Sequence, residues 1–277
     1  MRHFLDRPVG WMPPDFGDVY DETSFWSARF GGLLLESLEI RRGICGLDVG
    51  CGAGFPLIEL AQLHGPSSHF TGVDVWAEAL GRARRKIAAH GFENVDVIES
   101  DAGSMPFRDG HFDLLVSSIG VNNFPDVPKA LRECRRVAKA GARLVLTTNV
   151  RGHFGGTYRL LDEILDEAGL GAIREALRRE EDHRSSKETL STLLTASGFA
   201  VSRAVERSFT MRFADGSAML RHSLVKWFLD GWREAVGGEH ERKVFETLEA
   251  RLDAIATRDG CVEMQVPMLY LESIAVS

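Results

Sequence analysis

The 277-residue sequence predicts an α/β protein: a doubly wound, mostly parallel seven-stranded sheet with helices on both faces, plus helical cap insertions. Three observations carry that expectation. Short apolar runs alternate with helix-length amphipathic segments across residues 40–149. These runs are apolar throughout, as strands are when both sheet faces are covered. The first run leads into Gly46-Leu-Asp-Val-Gly-Cys-Gly-Ala-Gly54, which holds four glycines in nine residues and precedes a helical pattern.

Residues 1–22, rich in Pro, Gly, Asp and aromatics, read as an irregular arm. Residues 23–38 form a helix with Phe25, Phe30, Leu33, Leu34 and Leu38 on one side. Strands then fall at 44–49, 69–75, 94–99, 111–118 and 142–149. Helices fall at 55–63, at 77–90 with Gly91 ending it, and at 127–139 with Gly141 ending it. The last is the clearest, with Val127, Ala130, Leu131, Cys134, Val137 and Ala138 at helical spacing. Right-handed crossovers between such strands give a parallel sheet. Beyond residue 150 the alternation loosens. Residues 157–181 read as a charged helix, and Ser185-x-x-Glu188 as a capping box opening another, with Gly198 at its end. Residues 199–212 read as a sixth strand, 217–236 and 239–257 as helices, and 262–275 as a seventh strand. Pro267 cannot donate to a ladder, so a bulge or an edge is expected there.

The formal net charge is −7, with acids and bases interspersed, which argues against a nucleic-acid partner. Four cysteines lie far apart without a CxxC pair, so neither a disulfide framework nor a zinc site is indicated. No apolar run is long enough to cross a membrane, and a cytoplasmic protein is expected.

A glycine-rich turn between a strand and a helix lets a ligand approach the backbone, because glycine has no Cβ and tolerates positive φ. A Walker phosphate loop would need Gly-Lys-Ser/Thr, whereas Gly54 precedes Phe55-Pro56. A dinucleotide fingerprint is G-x-G-x-x-G, whereas Gly50, Gly52 and Gly54 are spaced one residue tighter. The third ligand class is S-adenosylmethionine.

The loop Asp48–Gly54, then Gly72-Val-Asp74, Ser100-Asp101-Ala102, Pro106–Asp113 and Leu131–Val137 with Gly141, resemble the class I, Rossmann-like S-adenosylmethionine-dependent methyltransferases. Within that family the small-molecule and quinone methyltransferases are the most similar group. The resemblance covers residues 40–149 closely and the sheet through 212 loosely. It implies a single methyltransferase domain over 1–277: an N-terminal arm (1–39), a cofactor-binding core (40–149), and remaining strands with caps near 150–184 and 213–260. It also implies a last strand running antiparallel between the fifth and sixth, which would place Pro267 in an interior strand.

The cofactor-binding residues expected are Asp48, Gly50, Cys51, Gly52, Gly54, Asp74, Val75, Trp76, Asp101, Ala102, Ser118 and Ile119. Asp74 ends the second strand and can accept from both ribose hydroxyls; it would serve a nicotinamide dinucleotide equally. The resemblance places Asp101 near the adenine amino group and the Ala102 amide near a ring nitrogen; the other reading of Asp101 is a turn former. Asp48, inside an apolar strand, must find donors. The resemblance has it orient the loop and the ammonium end of the cofactor. Trp76 packs either on adenine or as the first core contact of its helix. The carboxyl ends of parallel strands face the ligand crevice, which puts Ser118 and Ile119 near the methionine part. Asn122, Asn123 and Phe124 then lie near the acceptor, though both asparagines also suit a turn. Tyr20 and Trp26 in the arm either close over the cofactor or form an aromatic seam, and His153 and Tyr158 follow the fifth strand toward the pocket or the surface.

The function expected is methyl transfer from S-adenosylmethionine, leaving S-adenosylhomocysteine, to a small organic acceptor by in-line displacement. Alignment and desolvation supply much of such catalysis. No motif identifies a base or a metal site, so no catalytic residue is named. The alternatives are an NAD-dependent oxidoreductase and a non-catalytic adenosyl-ligand binding protein.

Overall fold

In the computed structural model of the protein, residues 3–11, 16–22, 24–182 and 184–276 are described. The expected helix start at Thr23 and parts of the arm (1–2 and 12–15) lie outside them. In chain order the elements are α1 (Phe16–Val19), α2 (Phe25–Ser37), β1 (Cys45–Val49), α3 (Leu57–His64), β2 (His69–Asp74) and α4 (Ala77–His90). Then come β3 (Val95–Glu99), β4 (Phe112–Ser118), α5 (Val127–Val137), β5 (Ala138–Asn149), α6 (Gly155–Glu167), α7 (Gly171–Asp182) and α8 (Lys187–Ala196). The chain ends with β6 (Phe199–Phe213), α9 (Gly216–Arg221), α10 (Val225–Val236), α11 (Gly238–Asp259) and β7 (Val262–Ala275).

The seven strands form one sheet in the order β3-β2-β1-β4-β5-β7-β6, with helices on both sides. The β1–β2, β2–β3, β1–β4 and β4–β5 pairs are parallel, and β5–β7 is antiparallel. The order steps outward on either side of β1, the reversal that opens a ligand crevice at the carboxyl ends of β1 and β4.

The chain divides into two compact units. One comprises Pro14–Asn149, Ser185–Arg207 and Met268–Ser277. Its core holds fully buried Leu47, Val49, Phe70, Leu115 and Val145, and α3 packs on β2, α4 on β3, and α2 and α5 on β5. The other comprises Met1–Pro13, Val150–Arg184 and Ser208–Pro267. There α6 packs on α7 and α11, and α10 packs on α7, α9 and α11, around fully buried Trp232, Phe154 and Phe245.

Several sequence expectations need correction. The helix expected over 157–181 is two, α6 and α7, broken at Gly169 with φ +71°. That over 217–236 is likewise two, α9 and α10, parted at 222–224. Apolar periodicity carries across a short break, so it did not reveal either one. Ser186, not Ser185, caps α8, its hydroxyl accepting from the Thr189 N–H at 3.1 Å. Gly141 does not end α5; it sits at φ +75° inside β5, in the irregularity where the register jumps from Phe112↔Ala138 to Leu114↔Arg143. Phe25 is exposed rather than part of the buried face of α2. Edge strand β6 is largely exposed along its middle, so the apolar, doubly covered pattern does not extend to it. Pro267 does not lie in an edge strand. Strand β7 is interior, and the β5–β7 register ends at Asn149↔Met268, one residue before Pro267. At the next pair the Pro267 carbonyl accepts from the Val150 N–H at 3.4 Å, so on the β5 side Pro267 serves as an acceptor.

Gly46 in β1 is a packing requirement. A Cβ there would meet the buried Phe70 ring at 2.2 Å. Gly46→Ala is expected to cost about 1–3 kcal/mol through overpacking. Gly81→Ala on α4 meets nothing closer than the Arg85 guanidinium at 3.9 Å and is expected to stabilise by about 0.5–1 kcal/mol. Urea unfolding of the two variants checks both signs.

Candidate functional site

The glycine turn leaves β1 and is fastened at once to β2. The Gly50 and Cys51 N–H groups both donate to the Val73 carbonyl, at 2.8 and 3.1 Å. Gly50, Gly52 and Gly54 have φ of +81°, +52° and +94°, the left-handed region where a side chain is strained. Space is as limiting as φ. A Cβ on Gly50 would lie 3.3 Å from Gly120 Cα and 3.5 Å from the Phe124 ring, and one on Gly52 only 2.3 Å from the Tyr20 hydroxyl. Gly72 of β2 admits the buried Cys51 side chain, whose Sγ would be 2.6 Å from a Cβ there. Burial pushes the Cys51 thiol pKa up, so it stays protonated.

Asp48 lies under this turn, fully buried, and neither carboxylate oxygen has a hydrogen-bond partner. Burial first, and the Asp74 charge second, push its pKa up to about 8; the Leu57 amide at the start of α3 eases this without closing a hydrogen bond. A buried carboxylate without a donor is costly.

Asp74 ends β2 with both oxygens engaged by backbone. One accepts from the Gly52 N–H at 2.8 Å, the other from the Trp76 N–H at 2.9 Å. A carboxylate offers about four lone-pair sites, so capacity remains for ligand hydroxyls. Val75 is exposed. Trp76 is half-buried at the start of α4. Its ring stacks against Phe16 at 6.3 Å and leans on Tyr20 at 4.8 Å. The arm is thereby lashed to the turn: the Ala53 N–H donates to the Tyr20 hydroxyl at 2.7 Å, and burial raises the Tyr20 pKa. Asp21 pairs with Lys86 and, at 3.6 Å, with Arg82, while Lys86 also donates to the Ala53 carbonyl at 2.9 Å. Arg82 and Lys86 lie one turn apart on α4. Their i, i+4 spacing shows them neighbours, but nothing in it shows the acid that meets them. Trp26 is half-buried beside Phe30, 5.2 Å between rings.

After β3, Asp101 accepts from the Gly103 N–H at 2.8 Å, the geometry of a turn former, and Ala102 is buried. At the end of β4, the Ser118 hydroxyl accepts from Thr147 Oγ1 at 3.1 Å. Ile119 has φ +61°, a strained value for a β-branched residue, and donates to the Thr147 carbonyl at 2.7 Å. Gly120 follows; a Cβ on it would meet the Val49 carbonyl at 2.9 Å, so this loop can rest on the glycine turn only as glycine. Phe124 is half-buried over Gly50. Asn122 is committed to structure, donating to Thr148 Oγ1 at 2.6 Å and Asn149 Oδ1 at 2.9 Å. Asn123 donates to the Ile119 carbonyl at 3.2 Å, which is turn chemistry.

His153 and Tyr158 belong to the other compact unit and are buried there, not on its surface. Among the described residues no three His, Cys, Asp or Glu side chains converge as metal ligands, and no helix is long and apolar enough to cross a membrane.

Asp48 makes a pH dependence testable. Its folded pKa, about 8, exceeds that of an unfolded aspartate, so between about pH 4 and 8 the folded chain holds a proton that the unfolded chain has released. The folded state is therefore favoured least at alkaline pH, by up to a few kcal/mol at about 1.4 kcal/mol per pH unit. Asp48→Asn is expected to flatten this slope and to be more stable than the native chain at pH 8.5, as urea midpoints across pH 5–9 would show. Parallel slopes for the two proteins would refute the assignment.

A family model described as a methyltransferase domain matches residues 40–198, more than half of the chain. A demethylmenaquinone methyltransferase of Staphylococcus aureus is 33% identical over 126 residues, covering 46% of this chain and 50% of that protein. The chain thus spans about half the length of the curated relatives it matches. Among solved structures, YcgJ of Bacillus subtilis superposes with a TM-score of 0.60 at 20% identity, over 90% of this chain and 99% of that one. An S-adenosylmethionine-dependent methyltransferase of Aquifex aeolicus gives 0.55 at 24% identity, over 70% and 93%. With a glycine turn bounded by Asp48 and Asp74 at the sheet's crevice, and with a family model running from residue 40 to 198, the chain belongs to the class I, Rossmann-like methyltransferase-domain family.

Proposed function

We propose that this protein transfers the methyl group of S-adenosylmethionine to a small organic acceptor. The observation that carries this reading is the fully buried Asp48 carboxylate beneath the glycine turn, with both oxygens lacking a partner. A dinucleotide would bring its pyrophosphate anion to that turn, against Asp48 and Asp74. An aminoacid-type ligand brings an ammonium group instead. The residues present therefore fit an adenosyl-methionine ligand better than a nicotinamide one, and the similarity to a demethylmenaquinone methyltransferase supports a small acceptor.

In this reading Asp48 holds the ammonium, and the turn at Gly50–Gly54 lies along the methionine part. Asp74 takes the ribose hydroxyls, and Asp101, the Ala102 amide, Val75 and Trp76 frame adenine. Ser118 and Ile119 border the methionine part from β4. When bound, the cofactor supplies a sulfonium methyl already activated for displacement. The protein's share is then to fix that methyl in line with the acceptor and to exclude water. Tyr20, through its bond to Ala53, holds the arm against the turn in the conformation seen here.

Thermal unfolding with S-adenosylmethionine, S-adenosylhomocysteine and NADH tests the cofactor. A ligand at 100 times its Kd stabilises by about 2.7 kcal/mol, roughly 5–10 °C for a chain of this size. A shift with both adenosyl ligands, lost in Asp74→Ala, is expected; a shift with NADH alone would overturn the proposal.

Asp48 adds a proton count. Placing a cation beside it favours the carboxylate, so cofactor binding at pH 6.5 is expected to release about one proton and to tighten as pH rises toward 8. Calorimetry in two buffers of different ionisation enthalpy measures this. Equal apparent enthalpies would remove Asp48 from the site.

A further inference from the structure

The compact unit that holds α6 and α7 has a cavity of about 240 Å³ between those two helices. Tyr158, Arg159, Asp162 and Glu163 of α6 form one wall, and Leu177, Arg178 and Glu181 of α7 form the other. Helical spacing explains the two walls. Tyr158 and Asp162, Arg159 and Glu163, and Leu177 and Glu181 each stand four residues apart, so each pair shares a helix face. The two helices pack on each other, which brings the faces together.

Most of the charge around this cavity is settled within the fold. Asp162 accepts two hydrogen bonds from Arg174, at 2.8 and 2.7 Å, and Arg178 lies 3.8 Å from the same carboxylate. Glu163 pairs with Arg251 at 3.4 Å. Three groups are left over. Tyr158 is 3% exposed, and its hydroxyl has no hydrogen-bond partner; the neighbouring Trp232 indole N–H does not close a bond to it. Arg159 and Glu181 make no hydrogen bond or ion pair among the described residues. Glu181 is half-buried, and burial, with Asp182 second, pushes its pKa up. A buried hydroxyl without a partner costs stability, and one on the wall of a cavity points to a ligand.

The leftover groups ask for opposite charges. A guanidinium only donates and a phenol donates readily, so Arg159 and Tyr158 suit a carboxylate. The Glu181 carboxylate only accepts, so it suits an ammonium. A ligand with one charge would satisfy one side and be repelled by the other. Leu177, 2% exposed, adds a small apolar contact. At about 30 Å³ for a water-sized group, the cavity holds roughly eight such groups, so the ligand is small.

We infer that the cavity between α6 and α7 binds a small zwitterion of the α-amino acid type, its ammonium at Glu181 and its carboxylate at Arg159 and the Tyr158 hydroxyl. Neither this site nor its test depends on methyl transfer.

The probes are L-alanine, ethylammonium and propanoate; the second lacks the carboxylate and the third lacks the ammonium. Each is titrated into the full-length protein without cofactor and followed by ligand-observed NMR. Native protein is expected to bind L-alanine about tenfold more tightly than either analogue. Glu181→Gln should abolish the advantage over propanoate, and Arg159→Gln the advantage over ethylammonium. Neither group has a partner in the fold, so both variants should keep the native Tm. Tyr158→Phe should weaken L-alanine about three- to tenfold, the range for losing one hydrogen bond. Equal binding of the three probes, an L-alanine affinity that survives Glu181→Gln and Arg159→Gln, or no binding of L-alanine overturns the site. Stability supplies a readout independent of ligand. Removing an unpartnered hydroxyl is expected to leave the Tm of Tyr158→Phe equal or higher. A fall of several degrees would mean that the hydroxyl is bonded within the fold and would equally overturn the inference.

Discussion

The site depends on one clamp. Two consecutive N–H groups, of Gly50 and Cys51, share the Val73 carbonyl, and the next residue of β2, Asp74, takes the Gly52 N–H. Three backbone donors of a turn that would otherwise be loose are thereby fixed by the neighbouring strand. The parallel register Val49↔Val73 sets where those donors arrive, so the sheet itself determines the shape of the turn. A side chain at Gly50 or Gly52 would strain the clamp through space as well as φ, and one at Gly72 through space alone. Asp74 is consequently a structural acceptor, and its two backbone donors hold its carboxylate at the strand end in a fixed orientation.

Asp48 is the counterpart of that order. Strand β1 is held between β2 and β4, so a side chain pointing from it toward the turn cannot escape to water. The fold accepts a carboxylate there without giving it a donor, and the cost appears as a raised pKa. Local frustration of this kind, set in an otherwise well-satisfied sheet, is the usual mark of a ligand site. Its sign is informative too. A buried acid beneath a glycine turn, such as Asp48, suits a cationic ligand end better than a phosphate, and that is the ground of the proposed cofactor.

The arm carries a second lesson. Tyr20, Asp21 and Phe16 meet the turn and α4 through a hydrogen bond, ion pairs and ring stacking. Each contact is modest, and the ion pairs are partly exposed, where such pairs contribute little singly. Their effect is cumulative and geometric: the hydroxyl of Tyr20 occupies the space that Gly52 leaves open. The same glycine thus serves the backbone conformation and the docking of the arm.

The sequence by itself determined the α/β class, the first five strands with their helices, the glycine turn and the acids at 48, 74 and 101, because these depend on local periodicity and on spacing along the chain. Ile119 was pointed to by its position at a strand end, whereas Ala102 came from the family resemblance. Only the tertiary structure decided what those groups touch. That Asp48 lacks donors, that Asn122 is committed to Asn149, that Lys86 meets Asp21, and that Tyr158 lies buried beside Trp232 are facts about residues far apart in sequence. The breaks at Gly169 and at 222–224 belong with them, since a helical period does not register a short interruption. Pro267 shows both sides of the division. Its missing N–H could be read from the chain, but that the β5 ladder ends one residue before it is set by the register of two strands more than a hundred residues apart.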